Sequence, residues 1–319
     1  MKTKESLLIN FFLKSYFNIS FNFIPMKHTI FFALAFLPIL TTAQTVNPYL
    51  TDSSNPSERP GMKLVFSEEF NYVGKPDAAI WNYETGFKRN NELQWYQSDN
   101  ANCKDGRLLI EGKKTDFPNP NYNSVSENWK TSRKTINYTA SSITTSGKQA
   151  WKFGRFEVRA RIDTAMGAWP AIWLLGTNQE WPSCGEVDML EFYRPEKVPS
   201  ILANVACGTD KKGKAKWDSS KKPLATLLQT DKDWASKYHV WRMDWTKDSI
   251  NLYVDDILLN TTLLSEMINA DGSNPFLQPQ YLLLNLALGS NGGDPSQSTF
   301  PITFEVDYVR VYQQVPNIE

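Results

Sequence analysis

FGRFEVRARI, residues 153–162, sets apolar Phe156, Val158, Ala160 and Ile162 in strict alternation with Arg155, Glu157, Arg159 and Arg161. A period of two marks a half-buried β-strand with one face against a core. INLYVDD (250–256) repeats the pattern with Ile250, Leu252 and Val254 and closes on the turn pair Asp255-Asp256. YLLLNLALG (281–289) and ITFEVDYVRVYQ (302–313) are apolar nearly throughout, as strands covered on both faces are. Only the stretches 224–235 and 263–269 carry a weak helical pattern. Short strands separated by Gly, Pro, Asn and Asp clusters predict an all-β antiparallel sandwich or jelly roll. With 41% hydrophobic and 13% aromatic residues, the chain can bury a large core. No linker or internal repeat divides 61–314, which reads as one domain.

The ends read differently. Residues 26–43, MKHTIFFALAFLPILTTA, have a short basic start, an apolar run and small residues ending at Ala43, the pattern of a signal peptide cleaved near that residue. Its core is too short to span a bilayer, which takes about 20 residues. A secreted or periplasmic protein with no membrane anchor is therefore expected. Residues 1–25 make a doubtful extension before the start at Met26, 44–60 a polar leader and 315–319 a tail.

Thirty-four basic and 34 acidic residues balance, and segment 1–43 carries four lysines and one glutamate, so the remainder sits near −3. Nothing in that balance attracts nucleic acid, and a neutral, hydroxyl-rich partner fits better than a polyanion, although a local basic cleft could hide in a balanced total. Cys103, Cys184 and Cys207 lack C-x-x-C spacing, which leaves one disulfide with a spare thiol or three inert buried thiols. Once His28 leaves with the signal, His239 is the only histidine, so a multi-histidine metal centre is excluded and a Ser-His-Asp nucleophile would rest on His239 alone. Acid–base chemistry, if the chain is a hydrolase, falls to carboxylates.

WPSCGEVDMLEFY (181–193) supplies them. In a regular strand Glu186 and Asp188 share a face, but Glu191, at i+5, points to the other. A β-bulge at the adjacent apolar pair Met189-Leu190 would return Glu191 to the same face. The Cα atoms of Glu186 and Glu191 would then lie about 13 Å apart, within reach of side chains that lean together. Paired carboxylates suit glycoside hydrolysis, and Asp188 between them would push their pKa values apart. An acidic solvent-facing edge strand and an oxygen-ligand cation site are the other readings of the triplet. In AWPAIWLL (168–175), Trp169, Ala171 and Trp173 share one strand face and Ile172 and Leu174 the other, so the two tryptophans are either sugar-stacking platforms or core. Trp181 is a third candidate for the same cleft.

With GEVDMLE (185–191), the blocks NNELQWY (90–96), DGRLLIEGKK (105–114), YTASSITTSGK (138–148), FGRFEVRARI, WPAIWLL (169–175), LLLNLALG (282–289) and VDYVRVYQ (306–313) resemble glycoside hydrolase family 16, in its laminarinase-like endo-β-1,3-glucanase branch, over 61–313. The resemblance implies a concanavalin A-like jelly-roll β-sandwich with a concave substrate cleft, Glu186 as nucleophile, Glu191 as general acid/base and Asp188 as assisting carboxylate. It maps Trp169, Trp173 and Trp181 onto cleft-lining positions and Asn91 onto a sugar-contacting loop. No cofactor is required by it; some relatives hold a structural calcium (Ca2+) near the position of Asp307, which could equally pair with Arg310 or a surface lysine. Laminarinases carry an arginine where this chain has Ser142, and a histidine-bearing strand where it has ILANVACG (201–208), with Asn204 and Cys207. The expectation is thus a monomeric endo-β-glycosidase cutting a polysaccharide, β-1,3-glucan first. An endo-β-galactosidase on agar-like or host glycans and a non-catalytic carbohydrate-binding sandwich are the alternatives.

Overall fold

The structure, a computed structural model, describes residues 46–315. The expectations for 1–25, the signal segment 26–43 and nearly all of the tail lie outside them. FGRFEVRARI forms the strand Gly154–Ile162 within a ten-stranded sheet. His239–Trp245, Ser249–Val254 and Ile257–Leu263 follow on one side of it, and Ile302–Gln314, Arg107–Pro118, Thr135–Ala140 and Gln94–Tyr96 on the other. Met62–Glu68 adds to Ile302–Gln314, and Ala101–Lys104 to Arg107–Pro118.

The second sheet has seven strands, named here in chain order: β1 (Asn82–Tyr83), β2 (Ser142–Thr144), β3 (Ala168–Gly176), β4 (Glu186–Tyr193), β5 (Ser200–Gly208), β6 (Ala215–Pro223) and β7 (Gln280–Leu288). Their spatial order is β6-β5-β4-β3-β7-β2-β1, all antiparallel. Val158, Ala160 and Trp241 of the first sheet share one core with Ile172, Leu174 and Val187 of the second, which makes the all-β jelly-roll sandwich. Each fully buried aliphatic side chain contributes about 1.5–3 kcal/mol of transfer free energy, the driving force for stacking the sheets. The weakly helical stretches become the short helix Leu224–Thr230 and 3-10 turns at Trp234–Ser236 and Leu264–Glu266.

The charged face of FGRFEVRARI, expected to meet water, is covered instead: Glu157 is 2% and Arg159 4% exposed. The polar leader lies over it. Arg59 Nε and Nη2 donate to the two oxygens of Glu157, both at 2.9 Å. Arg159 donates to the carbonyls of Leu50 (2.8 Å) and Asn47 (3.1 Å) and to Asp307 Oδ2, which also accepts from Asp52 N at 2.9 Å. A cation is thus already seated on Asp307, and it is a guanidinium. Oδ2 of Asp307 is thereby taken up by the Arg159 guanidinium and the Asp52 amide. Arg310, the expected alternative partner, instead makes a bidentate pair with Glu69, both bonds at 2.8 Å. Among the described residues no three His, Cys, Asp or Glu side chains are grouped to hold a metal.

All three cysteines are buried and unpaired, with burial raising Cys103 to about 12 and Cys184 to about 11. His239 is stacked on Trp234 at 4.0 Å, and its ring nitrogens are held by Asp255 and the Trp234 carbonyl, a structural role on the ten-stranded sheet. No helix of the described residues is long and apolar enough to cross a membrane.

Removing one member of a buried ion pair leaves the other uncompensated, at a cost of about 3–5 kcal/mol. Arg159→Met is therefore expected to lower the unfolding free energy in urea by that order, whereas EDTA or added calcium leaves the wild-type midpoint where it was.

Candidate active site

β4 is paired on both sides, and both partners reveal the inserted residue. Against β5, Asp188 faces Asn204 and Glu191 faces Leu202, three steps against two. Against β3, the register slips between Asp188 and Leu190. Met189 and Leu190 are both fully buried in the core. The bulge is where the apolar pair placed it, and Glu186, Asp188 and Glu191 lie on the outer face of the seven-stranded sheet.

A cavity of about 570 Å³ crosses that face, with Glu186 and Glu191 in its lining. Ala171, Trp173 and Leu283 make its apolar floor, while Ile172 and Leu174 on the opposite face belong to the core. The tryptophans divide by exposure. Trp169 and Trp173 are only 6% and 7% exposed. Trp169 Nε1 donates to Glu191 Oε1 at 2.9 Å; Trp173 Nε1 donates to Asn285 Oδ1 at 2.7 Å, with the Arg89 guanidinium 4.9 Å over its ring. They orient polar groups more than they offer stacking area. Trp181, 46% exposed, lines the cavity and donates Nε1 to Glu186 Oε2. Asn91 is exposed in a left-handed turn, its carbonyl bound by Arg133, and it is absent from the cavity lining. Its neighbours Asn90 and Glu92 take that place, a one-residue correction to the sequence reading.

The carboxylates differ in who donates to them. Burial raises Glu191 to about 8, with the negative charge of Glu186 acting in the same direction and the Trp169 and Asn204 donors only partly offsetting it. Asp188, fully enclosed, is driven well above the carboxylate range by burial and then by Glu191 and Glu186. Burial raises Glu186 too, but the Trp181 N–H, a hydrogen bond with Asp188 and the charge of Arg89 all favour its anion. Asn204 Nδ2 spans Asp188 Oδ2 (3.2 Å) and Glu191 Oε2 (3.3 Å), tying the pair together across β5. Burial and like charge thus favour the protonated form of Glu191, whereas at Glu186 the donors and Arg89 work against the rise that burial causes.

The sequence profile of the glycosyl hydrolases family 16 matches residues 90–310. The chain belongs to that family. A β-glucanase from Rhodothermus marinus is 33% identical over 287 residues, covering 82% of this chain and 89% of its own. The laminarinase catalytic domain of Thermotoga maritima superposes with a TM-score of 0.65 at 29% identity, covering 80% of this chain and 99% of that one. A structure from endo-acting O-glycanases that human gut microbes express to initiate mucin breakdown superposes with a TM-score of 0.72 at 34% identity, covering 82% of this chain and 94% of that one. The protein is accordingly a glycoside hydrolase of family 16.

Three groups of this family 16 cleft escaped the sequence reading. Trp217 on β6 is 45% exposed and lines the cavity. It pairs with Ala206, which pairs with Glu186, so the three form one cross-strand row and Trp217 stands about two strand spacings, roughly 10 Å, from Glu186. A tryptophan in the lysine-rich AKWDSSKKP was the available signal. Arg89 is the second. Where the laminarinase-like pattern has an arginine, Ser142 Oγ donates to Glu84 Oε2 at 2.7 Å, and Glu84 is bound by Arg89 from the 86–93 loop. Burial opposes ionisation of Glu84, yet Arg89 and Ser142 hold it below the usual range. Glu92 is the third: buried, bonded by Gln94 Nε2 at 2.7 Å, and raised to about 7 by burial.

Three outcomes are expected. Because the folded-state pKa of Glu191 lies above its unfolded value, its contribution to stability is present below about pH 4.5 and lost as pH rises toward 8. Glu191→Gln should flatten the fall in melting temperature across that window. Glu92 adds like charge to Glu191, so Glu92→Gln should lower the Glu191 midpoint in a carbon-13 NMR titration. Trp217→Ala, which removes an exposed ring, should raise KM on a long oligosaccharide about three- to tenfold with kcat nearly constant.

Proposed function

We propose that the protein is an exported, monomeric, retaining endo-β-glycosidase acting on a polysaccharide, with β-1,3-glucan as its leading substrate. The observation that carries this reading is the bulged triplet, in which Glu191 keeps its proton while donors to Glu186 favour the anion. In the first step a Glu186 oxygen attacks the anomeric carbon as Glu191 protonates the departing glycosidic oxygen, giving a glycosyl-enzyme ester and a shortened chain. Glu191, now ionised, removes a proton from water, whose oxygen displaces Glu186 with the original configuration restored. Asp188 supplies a hydrogen bond to Glu186 and keeps the pair from ionising together. The apolar floor excludes water and strengthens each charge interaction. Export is supported by the pattern of 26–43 and glucan by the β-glucanase and laminarinase relatives.

A second reading has its own support. The likeness to the mucin O-glycanase, with Ser142 where the laminarinase-like pattern has an arginine and ILANVACG where it has a histidine-bearing strand, favours a galactose-containing β-linked glycan in the same cleft. Product analysis on laminarin, lichenan, agarose and keratan side by side separates the two. Glu186→Ala and Glu191→Ala should each cut reducing-end release by about a hundredfold or more while circular dichroism stays native. A double variant that still hydrolyses would overturn the mechanism, and early proton NMR of the product should show the β-anomer. The activity profile should fall on the alkaline side near pH 8, where Glu191 loses its proton.

A further inference from the structure

The hairpin joining β5 and β6 carries charge that the neutral total conceals. Residues 209–222, TDKKGKAKWDSSKK, hold six lysines against two aspartates in a chain whose formal charge is zero. Its turn is fixed rather than loose. Thr209 N donates to Lys214 O at 3.1 Å and Lys214 N to Lys211 O at 2.9 Å, Thr209 Oγ1 also bonds Lys214 O at 2.9 Å, and Gly213 takes the positive φ of +72° that the tight turn needs.

This rigid tip closes one side of a separate cavity of about 280 Å³. Lys211 and Lys212 line it from the hairpin, and Glu180, Trp181 and Ser183 from the loop that leads into β4. Trp181 belongs to both spaces. Its ring stands between the small cavity and the main cleft, with its N–H on Glu186. On the hairpin's own strand, Trp217 faces the main cleft in the row of Glu186. Lys216 is turned away, its Nζ on the Glu266 carbonyl, and Lys221 pairs with Glu196. Lys211 and Lys212 have no carboxylate within ion-pair distance among the described residues, and both are exposed. Two lysines on a fixed turn, lining a pocket that shares the exposed Trp181 with the main cleft, suit a sugar ring that stacks on the aromatic and carries a negative substituent.

We propose that the 179–183 loop and the Lys211–Lys212 turn form a subsite for an anionic substituent, a sulfate ester or a carboxylate, on a glycan held in the catalytic cleft. The inference rests on the proposed endo-glycosidase reading of that cleft but not on whether the backbone is a glucan or a galactan. Lysine is suited to the task as a compact, mobile point charge, and the effect on binding is confined to a Debye length of about 8 Å at physiological ionic strength. The enzyme thus prefers a substituted region of its polymer over a bare one.

The test is the ratio of kcat/KM on a charged glycan to that on its neutral counterpart. Native and desulfated keratan sulfate, and laminarin against laminarin sulfate and carboxymethyl laminarin, are compared at low salt. The wild type should favour at least one charged form. Lys211→Ala/Lys212→Ala should lower that ratio about five- to tenfold, as expected for two exposed charge contacts, and 0.5 M NaCl should lower the wild-type ratio similarly. Lys211→Arg/Lys212→Arg should restore it. A preference for sulfated over carboxymethylated laminarin, or the reverse, identifies the group. A wild-type ratio of one or less on every pair, or a ratio that the alanine variant leaves unchanged, overturns the subsite. Inactivity of the wild type on every polymer, neutral ones included, would instead overturn the endo-glycosidase reading.

Discussion

One additional residue in one strand underlies the site. Without the bulge at Met189-Leu190, β4 would turn Glu191 into the core, where an isolated carboxylate could not remain ionised, and would expose Leu190 to water. With it, Val187, Met189, Leu190 and Phe192 all stay in the core, and three acids share the opposite face. The insertion also aligns the neighbours. Asp188 comes opposite Asn204 on one side and Trp173 on the other, so the strands that flank β4 can satisfy and shield what the bulge displays.

Burial acts on all three acids in the same direction, so it cannot by itself distinguish them. The difference comes from the donors placed along the strand. Trp181 arrives from a loop at the Glu186 end, Trp169 from β3 at the Glu191 end, and Asn204 bridges the middle. The apolar floor makes each of these bonds count for more than it would in water. At the other end of the cleft, Ser142 and Arg89 both bind Glu84, which holds a guanidinium beside the Trp173 ring.

Patterns local to a strand were legible in the sequence. The alternation in FGRFEVRARI forecast its strand, and the five-residue spacing of Glu186 and Glu191 beside an adjacent apolar pair located the bulge. Contacts that depend on sheet order were not. Trp217 reaches the cleft because β6 lies two strands from β4, and no periodicity in AKWDSSKKP reports that. How Trp169 and Trp173 are held depends on Glu191, Asn285 and Arg89, which come from three other segments. The one-residue error at Asn91 has a backbone cause. Asn90 and Asn91 both take positive φ, so the turn sends successive side chains in directions that a matched sequence block does not report. The leader was read as peripheral because its polar composition hides that its partners, Glu157 and Arg159, lie about a hundred positions away.

That leader changes where the folding unit begins. The first strand starts at Met62 and the family likeness at residue 90, yet Arg159 draws on carbonyls at Asn47 and Leu50, and Asp307 on the amide of Asp52. A protein trimmed to its first strand would keep the carboxylate triplet and the whole of both sheets. It would also uncover a stripe of charges on the face opposite the cleft, with their acceptors gone. Boundaries drawn from sequence likeness alone would therefore truncate a seal, and the smallest complete version of this enzyme is measured from its leader.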